Sequence, residues 1–363
     1  MISVCHKHSS KVVLHFKPKV LYSIYWFFCS QILIKINMDN VTTNLKGLTR
    51  PQLQDLPDEL ILKIFGYVKQ KDLLHLAQVS SRTSVISKDS SLWKSVRVSF
   101  VKNVTTSFLQ QVIDRKCMFL DLESAKMEGT LNLKGHSELK VLDVSNCEAN
   151  DGVLEELIGS CHSLEQIGTM HLTITSVMLR NICEQNGRTL QLLSMNHCRG
   201  LPSNSIELII SNCIRLTKLN LFDVKISENA VNDLINFLNP NIETLTFGFG
   251  DVVKDLHVEA LVKRFKKIKH LGIKSCGISN LTVTHIVHHL KESLVRLHLE
   301  AEYIFCAKLH DLKTMQQLEY LACARLSYTG RISEEIKRLR DLLTNACLCL
   351  KTIRITLRFR RNQ

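Results

Sequence analysis

One nine-residue pattern of apolar positions recurs along most of the chain. Its form is L-x-x-L-x-L-x-x-C, with other apolar residues tolerated at the leucine positions, and LKVLDVSNC from Leu139 is a clear copy. Further copies begin at residues 164, 190, 216, 242, 268 and 294, so successive copies lie 25 or 26 residues apart. Weaker copies begin at 318 and 350, and a poor one begins at Cys117. The Leu-x-Leu alternation predicts a short strand with one buried face in each copy.

The stretches between these strands share a second regular feature. An apolar residue lies seven positions before the first leucine of each strand; these residues are Leu157, Cys183, Ile209, Ile235, Leu261 and Val287. Their apolar neighbours follow helical spacing, which indicates a helix in each repeat. A period near 26 residues is typical of leucine-rich repeats, which this region resembles. Because one repeat cannot bury its leucine face alone, we predict an α/β solenoid with short parallel strands on the concave side and helices outside.

Cysteines follow the same period. Six of the 13 cysteines occupy the ninth position of the pattern or lie three residues before a strand leucine: Cys147, Cys198, Cys276, Cys161, Cys213 and Cys347. This resembles the cysteine-containing class of leucine-rich repeats and gives these thiols a structural role. The odd total and the lack of a CxxC pair argue against a disulfide framework and a zinc knuckle. We therefore expect a reducing compartment, the cytoplasm or the nucleus.

Residues 53–98 have a different, helical pattern. Pro57 suits the first turn of a helix, and Asp58 and Glu59 lie near the positive end of that helix. Apolar spacing predicts this helix, a second one over Leu73–Val79 and a third around residues 92–96. So short a segment cannot bury all its apolar groups internally. We expect them to pack on the solenoid, on a partner, or on both.

This segment resembles the F-box. The matching residues are Leu56, Pro57, Glu59, Leu60, Ile64, Phe65, Asp72, Leu73, Val79, Leu92 and Trp93. It departs from the family at Ser80, where cysteine is frequent, and at Thr83, where tryptophan is frequent. An F-box followed directly by such repeats resembles the substrate receptors of SCF-type ubiquitin ligases, and the resemblance covers roughly residues 53–357. It implies a non-catalytic subunit whose F-box binds an SCF adaptor and, through it, a cullin scaffold. The repeats would then bind a protein substrate for ubiquitylation and proteasomal degradation.

The resemblance also implies which residues bind the adaptor. They are Leu56, Pro57, Glu59, Leu60, Ile64, Phe65, Val68, Leu73, Leu76, Val79 and Trp93. The alternative function is a leucine-rich-repeat binding scaffold or inhibitor without ligase association, whose first helices merely cap the solenoid. In that case the apolar face of residues 56–79 would be buried within the chain.

The pattern divides the chain into four regions. We expect a disordered or spurious N-terminal extension at 1–50, the F-box at 51–98, a degenerate first repeat or linker at 99–138, and repeats with a basic C-terminal tail at 139–363. Val20–Ile34 is an apolar, aromatic-rich stretch that also fits a signal-peptide core or a short anchor. Polar residues interrupt it and no small-residue cleavage site follows, so we expect the functional chain to begin at Met38.

The net charge of +13 belongs mainly to the two ends of the chain. Residues 1–37 carry five lysines and no acid, and residues 351–363 carry five basic residues and no acid. The body between them is therefore close to neutral, whereas a nucleic-acid binder usually has a basic face on its folded part. No apolar run approaches the ~20 residues of a membrane-spanning helix. We expect neither nucleic acid nor membrane as a partner.

Catalytic and cofactor motifs are not recognisable in the sequence. No phosphate-binding loop, nucleophile elbow or HExxH is present, and we predict no enzyme activity, cofactor or metal. His285, His288 and His289 have metal-like helical spacing, but without a further ligand they are interpreted as a solvated helix face. The basic run from Lys263 to Lys269 is interpreted in the same way, with nuclear import or partner binding as alternatives.

Target binding is expected on the concave face, where the variable positions of the strand pattern point. The candidate residues are Lys218, Phe222, Phe249, His270, Lys274, Arg296, His298 and Tyr320. Exposed aromatic anchors surrounded by cations suit an acidic or phosphorylated peptide. Alternatively, some of these aromatic side chains fold back onto the solenoid. The sequence leaves open the identity of the target and whether it must be phosphorylated.

Overall fold

A computed structural model describes residues 53–68, 70–327 and 350–357, together with 334, 337–339, 341 and 343. The chain divides into two compact units, one ending at Leu92 and the other beginning at Trp93. The apolar stretch Val20–Ile34, Met38 and the tail after Leu357 lie outside the described residues. The expectations for those segments stay predictions.

The described part of the first unit is helical. Its helices are α1 (Asp58–Phe65), α2 (Gln70–Leu76) and α3 (Ser81–Ile86), flanked by 3-10 turns at Leu53–Asp55 and Ser90–Leu92. Pro57 is the N-cap of α1 with a φ of −56°, as its fixed ring predicts. The third helix lies earlier than the sequence indicated, because it is set by a polar cap rather than by apolar spacing. Residues around Leu92 form a 3-10 turn and then a strand instead.

The second unit is built on one sheet. In the described residues it has 11 strands in chain order, each pair of neighbours parallel. The strands are β1 (Ser95–Arg97), β2 (Phe119–Asp121), β3 (Val141–Asp143), β4 (Gln166–Gly168), β5 (Leu192–Ser194), β6 (Lys218–Phe222), β7 (Thr244–Gly248), β8 (His270–Lys274), β9 (Arg296–Glu300), β10 (Tyr320–Leu326) and β11 (Thr352–Leu357). The predicted solenoid of short parallel strands and helices is confirmed.

Helices connect most of these strands. They are α4 (Thr106–Asp114), α5 (Asp151–Gly159), α6 (Ser176–Arg180), α7 (Ser205–Asn212), α8 (Glu228–Phe237), α9 (Asp255–Arg264) and α10 (Asn280–Leu290). A π-helical turn, Asn181–Gln185, extends α6, and the 3-10 helix Cys306–Thr314 connects β9 to β10. Thr105, Asn150, Thr175 and Ser227 cap their helices by accepting a backbone N–H, which explains why the connections turn sharply into helices.

The strand register follows the sequence repeat residue by residue. The fourth position of each copy pairs with the fourth position of the next, as in Leu193 with Leu219 and Leu219 with Leu245. These side chains are buried and form a continuous ladder in the core. The same register extends backwards to Leu120 and Val96. The first two strands thus lie in regions where the sequence indicated only a poor copy or the end of the helical segment.

The periodic cysteines join neighbouring repeats. The Cys147 thiol donates to the carbonyl of Leu122 at 2.9 Å, and the Cys198 thiol donates to the carbonyl of Thr169 at 2.9 Å. Leu122 and Thr169 occupy the same position in the preceding repeats, so the thiol has one recurring role. Burial raises the pKa of Cys147 to about 12, which keeps it protonated as a donor. No disulfide bond joins cysteines of the described residues.

Candidate functional site

The residues proposed for adaptor binding differ in exposure. Pro57, Glu59 and Val79 are exposed, and three others, Leu60, Val68 and Leu76, are half-buried. Four further predicted residues are buried in the chain, namely Leu56, Ile64, Phe65 and Leu73. Their buried side chains contribute to the core, so the exposed and half-buried residues offer the accessible surface.

The first unit also exposes large apolar side chains that sequence reasoning missed. Tyr67 is 61% exposed and Val85 is 72% exposed, beside the predicted Val79 at 55%. The three exposed apolar side chains lie within nineteen positions of the first unit. Helical spacing could not identify Val85, because the short α3 has no apolar periodicity of its own.

Polar contacts of Arg82, Ser80 and Thr83 organise the helices of the first unit. The Arg82 guanidinium donates from Nε to Oδ1 of Asp58 at 2.7 Å and from Nη2 to the carbonyl oxygen of Leu56 at 2.5 Å. These bonds tie the start of α1 to α3. Ser80 and Thr83, the two departures from the F-box pattern, form a capping box in which each side chain accepts the backbone N–H of the other at 3.1 Å. The two residues that depart from the F-box pattern therefore form the N-terminal cap of α3.

Trp93 requires a correction. The sequence resemblance placed it with the adaptor-binding residues, but the structure places it in the second unit, fully buried. The Arg115 guanidinium lies 4.3 Å from the centre of its ring, a cation–π contact. A buried tryptophan at the start of the repeat stack packs the core of the solenoid and is not available to an adaptor.

The target-binding candidates except Phe249, which follows the end of β7, lie on one face of the sheet. We call the side chains at positions three, five and seven of the repeat pattern the open sheet face, because they alternate with the buried leucines. Position three contributes a row across successive strands: Lys218, Thr244, His270, Arg296 and Tyr320. Lys218 and Arg296 are exposed and form no ion pair in the described part of the chain. They provide the accessible positive charge of this face.

The imidazole rings of His270 and His298 also lie within this face, and both have lowered pKa values. Burial lowers the pKa of His270, and the nearby positive charges of Arg296 and Lys218 lower it further. Burial also lowers the pKa of His298. Neither ring therefore adds a positive charge at neutral pH. The cationic character of the open sheet face depends on lysine and arginine.

Phe222 is not the exposed anchor that one interpretation of the sequence required. It is 8% exposed, and its ring stacks on His298 with centroids 4.6 Å apart and planes 18° apart. The two strands between them carry Gly248 and Gly272 on the open sheet face. Gly248 lies directly opposite Phe222 in the strand register, and Gly272 lies directly opposite His298. The aromatic folds back onto the solenoid, whereas Phe249 remains 38% exposed and Tyr320 half-buried.

Lys274 is also not a free cation. Its Nζ lies 2.9 Å from Oδ1 of Asp223 and 3.5 Å from Oε1 of Glu300. Burial alone would raise the pKa of Asp223, but the hydrogen bonds and charges of Lys274 and His197 hold that pKa below its ordinary value. Neither Asp223 nor Glu300 belongs to the residues predicted for target binding. Their pairing with Lys274 cancels the charge that was assigned to target binding.

The three histidines on α10 contact a glutamate, a lysine and one another. No group of three potential ligands placed to hold a metal ion occurs among the described residues. The ring of His289 lies 3.2 Å from Nζ of Lys266, and the rings of His288 and His289 meet edge to face. Within the same part of the chain, every helix is too short or too polar to span a bilayer.

Comparison with known proteins identifies the first segment. Residues 53–99 match the family described as F-box-like, and we call them the F-box-like segment. This F-box-like segment is followed by the leucine-rich-repeat solenoid described above, and the predicted combination of an F-box with leucine-rich repeats is confirmed.

A curated relative matches over a longer stretch. The coronatine-insensitive protein homolog 1b of Oryza sativa subsp. japonica is 27% identical over 129 residues, which cover 35% of this chain and 22% of that protein. The match thus spans about a fifth of the relative's length. The chain is homologous to that protein over this stretch.

Two solved structures from Listeria monocytogenes str. 4b F2365 are also similar. Internalin C2 has a TM-score of 0.36 and 15% identity, covering 55% of this chain and 75% of its own. Internalin InlF has a TM-score of 0.40 and 12% identity, covering 80% of this chain and 95% of its own.

Proposed function

We propose that this protein is a non-catalytic substrate-recognition subunit of an SCF-type ubiquitin ligase. The F-box-like segment would bind an SCF adaptor subunit and, through it, the cullin scaffold. The solenoid would bind a protein target for ubiquitylation and proteasomal degradation. The observation that carries this proposal is an F-box-like segment with exposed apolar residues, joined directly to a repeat solenoid with a polar, partly cationic open face.

Catalysis in this proposal requires no reactive residue from the chain. Holding a target beside a charged ubiquitin-conjugating enzyme raises the effective concentration of its lysines, and that proximity accelerates transfer. The chain's task is therefore rigid presentation. The residue-by-residue strand register and the ladder of buried leucines suit such a scaffold.

The adaptor half of the proposal is tested by co-purification from cells. We expect Val79→Glu with Val85→Glu to abolish recovery of adaptor and cullin, because two charges would replace exposed apolar contacts. Ile214→Glu with Leu256→Glu is the matched control, since those side chains are 63% and 60% exposed but lie in the solenoid. Undiminished recovery with the first pair would contradict the proposed surface.

The alternative is a repeat protein without ligase association. The burial of Leu56, Ile64, Phe65 and Leu73 within the chain favours it, because a simple cap would bury the same apolar face. The exposure of Tyr67, Val79 and Val85 favours adaptor binding instead. Absence of adaptor and cullin from the purified wild-type protein would support the alternative.

The target half needs variants on the open sheet face. Lys218→Glu with Arg296→Glu is the preferred pair, because both side chains are exposed and their reversal breaks no ion pair of the described residues. We expect this pair to reduce target recovery while adaptor recovery stays unchanged. Unchanged target recovery would show that the target binds outside the row of position-three residues.

The cytoplasm or the nucleus is the proposed location. The mostly buried free thiols of the described residues support it, because an oxidising compartment would expose newly made chains to cysteine mispairing. Cell fractionation of the tagged native protein tests this proposal. Recovery from the medium or from the secretory pathway would contradict it.

A further inference from the structure

Three neighbouring segments at one edge of the solenoid concentrate positive charge. Each runs from the end of a helix towards the start of a strand, and they span residues 211–217, 236–242 and 263–269. Together they carry six lysines and arginines and no aspartate or glutamate. In the segments on either side, the exposed cations Arg188 and Lys291 are accompanied by exposed Glu184 and Glu292. The surplus charge is therefore confined to the edge before β6, β7 and β8.

Part of this charge has a structural role. Nζ of Lys263 lies 2.5 Å from Oε1 of Glu259, and Nζ of Lys269 lies 3.2 Å from Oε2 of Glu243. Lys263 and Arg264 also lie in the last turn of α9, where cations complement the negative end of the helix dipole. The stability of the repeat thus accounts for three of the six cations.

The other three cations are held on the surface without compensation. Arg215, Lys266 and Lys267 are exposed, lie outside the helices and form no ion pair with a described residue. Nζ of Lys266 lies 3.2 Å from Nδ1 of His289, and Nζ of Lys267 donates to Oδ1 of Asn241 at 2.7 Å. Burial and the charge of Lys266 lower the pKa of His289, so that ring is neutral near pH 7. Neutral partners therefore position both ammonium groups and leave their charge available.

Large apolar side chains stand among these cations. Ile214 is 63% exposed and Phe237 is 67% exposed. Nδ2 of Asn239 donates to the carbonyl oxygen of Ile214 at 2.8 Å, which joins the segment after Phe237 to the segment of the preceding repeat. Lys267 binds Asn241 of the same middle segment, so the three segments form one surface. We call five of its exposed residues the cationic edge: Ile214, Arg215, Phe237, Lys266 and Lys267.

We propose that the cationic edge binds the surface of an anionic lipid bilayer. Each lysine or arginine near acidic headgroups strengthens binding about fivefold, and exposed apolar side chains enter the boundary between headgroups and acyl chains. The cationic edge offers both kinds of side chain at once. An acidic protein surface is the less suitable partner, because lysine is depleted from protein interfaces.

Such binding is compatible with a protein target on the solenoid. The residues of the cationic edge precede the strands, whereas the open sheet face is formed by the strands themselves. A bilayer at the cationic edge would therefore leave the open sheet face accessible. It would also overturn the expectation that no membrane is a partner, because charge counted along the sequence does not show where cations cluster in the fold.

Vesicle co-sedimentation of the purified full chain tests the proposal. The probes are phosphatidylcholine vesicles with and without phosphatidylserine, and we expect the phosphatidylserine vesicles to bind at least tenfold more tightly. Lys266→Glu with Lys267→Glu should weaken that binding at least tenfold, since two attractions are lost. Phe237→Ala should weaken it at least threefold, because an apolar contact with the boundary region is lost.

Matched variants at other positions of the solenoid serve as controls. Arg199→Glu with Lys225→Glu makes the same change in net charge at two exposed cations that follow the strands instead of preceding them. Phe305→Ala removes a phenylalanine that is 41% exposed, away from the cationic edge. Both controls should bind phosphatidylserine vesicles within about twofold of the wild type.

Several results would overturn the inference. Wild-type binding by the Lys266 and Lys267 variant shows that any attraction to vesicles comes from another part of the chain, and an equal loss in both charge-reversal pairs shows only general charge attraction. If polyglutamate displaces the chain from the vesicles while Phe237→Ala has no effect, the cationic edge takes an acidic protein segment instead. Where the reversal pair lowers thermal stability, Lys266→Gln with Lys267→Gln replaces it and must also weaken binding.

The same preparations separate this inference from the proposed function. Val79→Glu with Val85→Glu should keep vesicle binding while it loses the adaptor. Ile214→Glu with Leu256→Glu should keep the adaptor while it loses vesicle binding. Failure of the wild type to bind vesicles would contradict the cationic edge alone, and failure to bind the adaptor would contradict the ligase role alone.

Discussion

Asn186 joins distant parts of the chain in the solenoid through two buried hydrogen bonds, and it forms a third, part-buried one with nearby Asn181. Its Oδ1 accepts the backbone N–H of Leu164 at 2.9 Å, and its Nδ2 donates to the carbonyl oxygens of Cys161 at 2.9 Å and Asn181 at 3.0 Å. The side chain has no exposure to solvent. We therefore expect Asn186→Leu, which keeps the size of the side chain, to destabilise the solenoid strongly.

The magnitude follows from what the substitution leaves unpaired. Each lost hydrogen bond costs about 1 kcal/mol, and a buried backbone group left without a partner costs about 1–3 kcal/mol. The N–H of Leu164 and the carbonyl of Cys161 would both be left buried without the bond to Asn186. Leucine offsets part of this loss by burying more apolar surface. The net destabilisation should be about 3–5 kcal/mol.

Urea unfolding followed by circular dichroism measures this effect. With a slope of about 3 kcal/mol per molar urea, the midpoint should fall by about 1–1.7 M. Asn232→Leu on α8 is the control, because Asn232 is exposed and should change stability by less than about 0.5 kcal/mol. A loss below about 1 kcal/mol for Asn186→Leu would refute the argument that these bonds hold the repeats together.

Three further predictions concern single side chains. Lys274→Met should destabilise the solenoid by about 1–3 kcal/mol at pH 7, a range between exposed and buried ion pairs. Because the pKa of Asp223 is lowered in the folded state, the stabilisation by this ion pair is present above about pH 4 and is lost as the pH falls through the folded-state pKa. Urea unfolding at pH 7 and at pH 3 tests this prediction. Ser80→Ala should weaken α3 by about 1 kcal/mol, measured as faster hydrogen exchange of its amides, and unchanged exchange would contradict the capping role. Phe222→Ala should cost about 3 kcal/mol in urea unfolding, whereas a cost below about 0.5 kcal/mol would restore the exposed-anchor interpretation.

The repeat architecture was predictable because its signal is redundant. Seven copies of one pattern each indicate the same strand, so an error in one copy does not change the fold. The first strand was missed because Val96 is its single buried residue and no second leucine marks it. The helix α3 was missed because its start depends on a hydrogen-bonded cap at Ser80, which apolar periodicity does not reveal.

The binding surfaces were less predictable, since exposure depends on neighbours that are distant in sequence. The Phe222 ring is covered by stacking on His298 of β9, and Lys274 is neutralised by acids 51 and 26 residues away. One usable signal was present. Asn, His and Asp recur at position eight of the repeat, which indicates left-handed turns at the strand ends. The same positions supply His171, His197 and Asp223, which line a cavity beside the ends of β4 to β6.

The acids that neutralise Lys274 lie in other repeats. Glu300 is on the neighbouring strand β9, whereas Asp223 directly follows β6, two strands away. Such contacts depend on the strand register and on side-chain length together. A single sequence defines the register but not the direction in which each long side chain turns.

Direct binding between the purified full chain and a purified SCF adaptor subunit tests the central claim most closely. Biolayer interferometry gives the dissociation constant for the wild type, for Val79→Glu with Val85→Glu, and for the control Ile214→Glu with Leu256→Glu. The account predicts saturable binding by the wild type and the control, with at least a tenfold loss for the first pair. No binding by the wild type, or equal binding by all three proteins, would contradict it.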